Sequence, residues 1–167
     1  MYRRDLLSGQ TETSAVKSAR ENIVNRASCE IGVREQSGNN DGKRVEEYLR
    51  TVKLAKGNPY CAAFVSFIFA QCGYPAPRTG WSPDLFPASR LTKQALPGNV
   101  LGIYFADKKR IAHVGIVVRQ TGSWVTSTEA NTNVAGSREG DGVYRKLRHI
   151  KTIRSLANWI AERRVKL

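Results

Sequence analysis

The chain lacks any apolar run able to span a bilayer. Its longest strongly apolar stretch, Cys61 to Cys72, falls well short of the roughly 20 residues that a transmembrane helix needs. The start, Met1-Tyr2-Arg3-Arg4-Asp5-Leu6-Leu7, is basic with no apolar stretch behind it, so no signal peptide is expected. Cysteine is scarce and badly spaced for metal. Cys29, Cys61 and Cys72 form no CxxC pair, and an odd count excludes a complete disulfide framework. Their default reading is three buried thiols. Acidic residues are few, 14 against 27 Lys plus Arg, which leaves a formal charge of +13. That excess fits polyanionic surroundings: nucleic acid, anionic membrane or anionic cell wall. No basic run is interleaved with aromatics as a single-strand stacking surface would be, so no specific nucleic-acid partner is expected. Internal repeats and linkers are also missing. The 167 residues read as a loose polar tail, 1–12, and one domain with one core, 13–167.

What is present divides into a helical half and a strand half. Thr13 or Ser14 is placed to cap a helix, and Val16, Ala19, Ile23, Ala27 and Ile31 recur at helical spacing until Gly32. A turn-rich loop follows at Gln36–Gly42. A second helix is expected over Arg44–Val52 with Val45, Tyr48 and Leu49 inward. After Gly57-Asn58-Pro59, a third helix is expected over Cys61–Gln71, apolar almost all round and therefore central in the core. Residues 74–98 hold five of the six prolines and read as a wrapping loop with a short helix near 88–94. Val100–Phe105, Ile111–Val118 and Trp124–Thr128 read as strands, Gly142–Lys146 as another, and Ile150–Ile160 as a closing strand or short helix. Helices first and strands after predict an α+β domain, with helices packed on one face of an antiparallel sheet.

Chemistry concentrates at Cys61. A thiol that opens a helix feels the positive end of the helix dipole and free backbone N–H groups, which favour the thiolate. The same N–H groups suit an oxyanion. Cys72, at the far end of that helix, meets the opposite field, and Cys29 falls near the end of the first helix, so both are assigned to packing. A cysteine nucleophile needs a base, and only two histidines exist. His149 lies in a basic segment, Arg145–His149, and is assigned to the surface. His113 lies in a strand pattern, where the alternative is a satisfied core histidine. Arg119 and Ser123 can flank a three-residue hairpin loop, Gln120-Thr121-Gly122. Counting outward from those two residues puts Glu129 directly opposite His113, in reach to fix its tautomer. Asn131, two residues on, is an alternative or additional orienter.

Three stretches together resemble the CHAP family, the cysteine, histidine-dependent amidohydrolases and peptidases, and are similar to the wider NlpC-type cell-wall peptidases. They are Gly57-Asn58-Pro59-Tyr60-Cys61-Ala62-Ala63-Phe64-Val65-Ser66, Ile111-Ala112-His113-Val114-Gly115 and Thr128-Glu129-Ala130-Asn131-Thr132. Asn39–Gly42 and Gly136–Val143 resemble phage or prophage members. The resemblance spans about residues 15–160. It implies a papain-like fold, a catalytic set of Cys61, His113, Glu129 and Asn131, and hydrolysis of a peptidoglycan amide through a thioester. It implies no cofactor. Some members carry an Asp-rich calcium loop before the cysteine; here only Asp41 and several Asn stand there, so no metal is expected. Tyr60 and Asn58 are expected to bind substrate or shape the oxyanion site, and Trp81 and Trp124 to line the groove. Peptidoglycan is the expected partner, with anionic wall polymers or lipopolysaccharide held by charge. The expected state is a monomer, made in the cytoplasm of a bacterium or encoded by a phage, and acting in the periplasm or cell wall. If the chain is a secreted toxin, an immunity protein is an expected partner. Two alternatives stand beside this reading: a basic nucleic-acid-binding module with an inert Cys61, and a cysteine peptidase or acyltransferase toxin acting on another substrate.

Overall fold

The computed structural model describes residues 12–135 and 140–160. The tail residues 1–11, and residues 136–139 of the phage-like stretch, lie outside them. Among the described residues three α-helices precede a six-stranded antiparallel sheet. Helix α1 spans Ser14–Ser28, and the Thr13 hydroxyl accepts the Val16 N–H at 3.3 Å. It ends before Ile31 because the chain turns at Cys29 and carries Glu30 inward, where it is buried. Cys29 caps that end and is exposed, not buried, since it lies past Ala27, the last inward residue of the helix. Helix α2, Lys43–Thr51, buries Val45, Tyr48 and Leu49. Helix α3, Cys61–Gln71, buries every residue from Cys61 to Phe69, as a helix apolar on all sides must. Cys72 at its C-terminus is half-buried.

The proline-rich segment forms two 3-10 turns, Ser82–Leu85 and Ala88–Arg90, and a two-residue strand β1, Leu91–Thr92. The short helix expected near 88–94 is thus replaced: after one turn, Leu91 and Thr92 pair with Ala157 and Leu156. The other strands are β2 Val100–Phe105, β3 Arg110–Thr121, β4 Trp124–Thr132, β5 Gly142–His149 and β6 Ser155–Ala157. Their order is β1-β6-β2-β3-β4-β5. A 3-10 turn, Ile150–Thr152, leads into β6 and settles the strand-or-helix question at the end of the domain. His149 caps that turn, its Nδ1 accepting the Lys151 N–H at 3.2 Å.

The main core joins the apolar faces of the helices to Val100, Val114, Ile116, Ala130 and Val143 of the sheet. Leu101, Val117 and Val125, adjacent to or alternating with those residues, build a second cluster with Ala95 and Leu156. Ser66, buried on α3, clamps the proline-rich segment by accepting the Thr79 N–H at 3.0 Å and donating to the Thr79 carbonyl at 2.9 Å. This clamp holds the turn that carries Trp81 and Ser82 beside the start of α3. Among the described residues no helix is long and apolar enough to cross a membrane.

Candidate active site

The site begins where α3 begins. Tyr60 precedes the helix and gives its first amides no side-chain cap, which leaves donors free at the helix start. Cys61 is nearly buried, 4% exposed, and lines a groove of about 360 Å³ with Asn58, Trp81, Ser82, Arg110 and Ala112. Its Sγ lies 3.5 Å from the Ser82 hydroxyl. Burial opposes ionisation of the thiol. The hydrogen bond and charge of His113, with the Ser82 hydroxyl and the Ala62 N–H, outweigh it and carry the Cys61 pKa below the ordinary thiol value.

His113 comes from the middle of β3 and is 1% exposed. Its Nε2 lies 2.7 Å from Glu129 Oε2. That contact occupies Nε2 and leaves Nδ1, which is buried and makes no hydrogen bond, as the nitrogen available to the thiol, with which the imidazole interacts electrostatically. Burial alone would lower the imidazole pKa. The Cys61 thiol and the Glu129 carboxylate together raise it to about 9.

Glu129 is fully buried and makes four hydrogen bonds with three residues. Besides His113, the Ser127 hydroxyl donates to Oε1 at 2.7 Å, Arg148 Nε to Oε1 at 2.9 Å and Arg148 Nη2 to Oε2 at 2.5 Å. Desolvation of the carboxylate is large, yet Arg148 and His113 hold it far below the usual carboxylate range. A buried anion is tolerable only with such a full set of partners.

The register that delivers Glu129 differs from the one expected. The β3–β4 turn is a two-residue loop, Gly122–Ser123, closed by Thr121 opposite Trp124, with Gly122 at φ +56°. Counted from that tip without interruption, Ala130 would lie across from Gly115, and Glu129 would point to the wrong face. A bulge between Val117 and Arg119 shifts the pairing by one residue and gives Ile116 opposite Thr128. Glu129 then lies across from Gly115, not from His113, and reaches the imidazole diagonally. Gly115 makes room for this: a Cβ there would stand 2.5 Å from Glu129 Cγ. The expected direct pairing is therefore corrected, while the expected contact is present.

No hydrogen bond joins the expected second orienter, Asn131, to His113. Asn131 is the extra residue of a second bulge, between Ala130 and Thr132 on the β5 side, with φ +55°. Asn tolerates that left-handed conformation better than most residues, which accounts for its presence there. Its side chain is buried, and neither amide atom has a hydrogen-bond partner. Tyr60 is also misplaced as a substrate-binding residue. Its ring is fully buried, stacked 6.2 Å from Tyr48, and its hydroxyl donates to Glu35 Oε1 at 3.0 Å, so it belongs to the core. Asn58 and Trp81 do line the groove, with the Asn58 amide donating to the Ala55 carbonyl at 2.9 Å. Trp124 lies at the β3–β4 turn, edge-on to His149, and is not among the groove residues. Sequence reasoning missed Ser82, Ser127 and Arg148. Ser127 was open to it, two residues from Glu129 on the same strand face; Ser82 and Arg148 arrive by long-range folding and carry no local signal.

Among the described residues no cluster of three or more His, Cys, Asp or Glu is placed to hold a metal. Compared with protein-family models, with curated proteins and with solved structures, the chain matches none.

Proposed function

We propose that this chain is a papain-like cysteine amidase or peptidase that hydrolyses an amide bond of bacterial peptidoglycan. One observation carries the reading: a thiol at a helix start, an imidazole and a fully partnered carboxylate meet in sequence, and the thiol opens onto a groove. A core histidine satisfied by neighbours would not leave its second nitrogen facing a cysteine of lowered pKa.

In the proposed reaction, His113 takes the Cys61 proton and the thiolate attacks the amide carbonyl carbon. The Cys61 N–H holds the developing oxyanion. The C–N bond breaks as His113 passes the proton to the leaving amine. Water, deprotonated by the same imidazole, then cleaves the thioester and restores the thiol. Glu129 keeps Nε2 occupied, so that Nδ1 serves the thiol, and stabilises the imidazolium. The choice of peptidoglycan rests on the resemblance of the three motifs, and on the +13 charge, which suits adhesion to anionic wall polymers or lipopolysaccharide.

The test is mass spectrometry of fragments released from purified peptidoglycans of different crosslink type. New amine and carboxyl ends are expected with the intact protein. Cys61→Ala should lower release to background, with its unfolding midpoint nearly unchanged, because the substitution removes a nucleophile without opening a large cavity. Release by Cys61→Ala above background would overturn the mechanism.

A further inference from the structure

Arg110 stands in the groove without an acid. Its guanidinium lies over the Trp81 ring, 3.9 Å from the centroid, and Nη1 donates to the Ile111 carbonyl at 3.0 Å. No acidic side chain among the described residues lies within ion-pair distance of it. Arg20 holds Glu12, Arg26 and Arg44 hold Glu30, and Arg148 holds Glu129; Arg34, Arg90 and Arg154 lie over aromatic rings as Arg110 does, but none of them lines the groove. Among the described residues Arg110 is also the only charged one lining the groove, whose other described lining residues are apolar or neutral, among them Val52, Leu54 and Pro59.

Its position is set by the fold. Arg110 opens β3, paired with Phe105 across the β2–β3 hairpin, three residues before His113. The backbone that carries Trp81 is held in turn by the Thr79–Asp84 turn, where the Thr79 hydroxyl accepts the Trp81 backbone N–H at 2.9 Å and donates to Asp84 Oδ2 at 3.0 Å. Stacking and one hydrogen bond fix the guanidinium plane and leave further N–H donors for a ligand. A planar fork of that kind matches a carboxylate in two-point contact.

We infer that Arg110, braced on Trp81, is a substrate-carboxylate site, and that the preferred substrate is an amide with a free carboxylate close to the scissile bond. The inference rests on the proposed function for its choice of probe, but binding can be read without turnover.

The experiment measures calorimetric binding of soluble muropeptides, monomeric and crosslinked, to Cys61→Ala protein. Each probe is used with its carboxylates free and after carbodiimide conversion to carboxamides. Free acids should bind about tenfold or more tightly than the amides. Adding Arg110→Gln should weaken acid binding to the amide level and leave amide binding unchanged, whereas Arg110→Lys should retain part of the preference. Equal affinity for acid and amide, binding of neither, or a preference that survives Arg110→Gln would each overturn the inference. Turnover by the otherwise unaltered protein separates the two readings. Arg110-dependent acid binding with no cleavage of any muropeptide would sink the proposed function and leave the carboxylate site standing. Cleavage of acids and amides at equal kcat/KM would do the reverse.

Discussion

Two buried carboxylates, Glu30 and Glu129, are built alike and end differently. Glu30 accepts from Arg26 at 2.7 Å, from Arg44 at 2.5 and 2.8 Å, and from the Tyr48 hydroxyl at 2.5 Å. These partners tie the end of α1 to α2, and every bond stays inside the cluster. Burial works against the Glu30 charge, but the two arginines and Tyr48 bring its pKa down to about 2. Glu129 has the same kind of support, an arginine fork and a hydroxyl, with one place given to an imidazole. That imidazole leads on to a thiol and a groove. A satisfied buried anion is therefore not in itself a sign of function; what distinguishes the site is the group that the anion holds and what lies beyond it.

The comparison can be broken by substitution. The largest effect is expected at His113. His113→Ala should reduce amide hydrolysis by about 10³-fold or more, since base and acid are lost together. Glu129→Gln should cost less, about 10²-fold, because an amide still accepts from the imidazole but does not stabilise its cation. Equal and complete loss in both would mean that Glu129 does more than orient. Full activity in Glu129→Gln, by kcat on soluble fragments, would mean that the contact is not used.

Glu30→Gln should show the opposite signature. Stability, read from the urea midpoint, should fall by about 3 kcal/mol, as when one partner of a buried ion cluster is removed. The kcat of the folded protein should stay within about twofold, since Glu30 contacts none of the groups of the candidate site. A large kcat loss with an unchanged midpoint would erase the contrast between the clusters.

pH sharpens the contrast. Thiolate and imidazolium coexist from the lowered Cys61 pKa up to the raised His113 pKa, so kcat/KM should rise below the ordinary thiol range and fall near pH 9. The carboxylates act at the other end. Both have folded pKa values below their unfolded ones, so their stabilisation is present above about pH 4.5 and is lost as pH falls. For Glu30 that loss runs down to about pH 2. Acid unfolding followed by circular dichroism should accordingly start below pH 4.5, and Glu30→Gln should flatten its dependence on pH. An acid transition identical in Glu30→Gln and the unaltered protein would assign it elsewhere.

The smallest effect is expected at the other two cysteines. Cys29→Ala and Cys72→Ala should leave kcat/KM within about twofold, because one thiol is exposed and the other is half-buried at the far end of α3. Labelling with iodoacetamide near neutral pH, followed by activity, checks this: loss of activity should track Cys61 modification alone.

What could be read in advance was local in origin. Helix α3 was legible to the residue, because a proline, a run of apolar residues and a terminating glycine are all neighbours in the chain. The candidate nucleophile, Cys61, followed from its place at that helix start, and β2 from its β-branched and aromatic run. The contact between His113 and Glu129 was reached through a register that the molecule does not adopt. The assumed three-residue loop and the real two-residue loop with its bulge both put Glu129 on the histidine's face. Asn131 and Tyr60 were misjudged because a bulge and a buried stacking partner leave no periodic signal.

Sequence alone thus determined the helical and strand halves, the thiol at a helix start and the histidine on a strand, because each follows from residues within a few positions of one another. Only the tertiary structure decided that Arg148 would hold the carboxylate, that Ser82 would meet the thiol, and that Arg110 would face the groove on Trp81. Those contacts join residues separated by up to dozens of positions, and their geometry is set by a hairpin turn, a one-residue bulge and a glycine that gives a side chain room to pass.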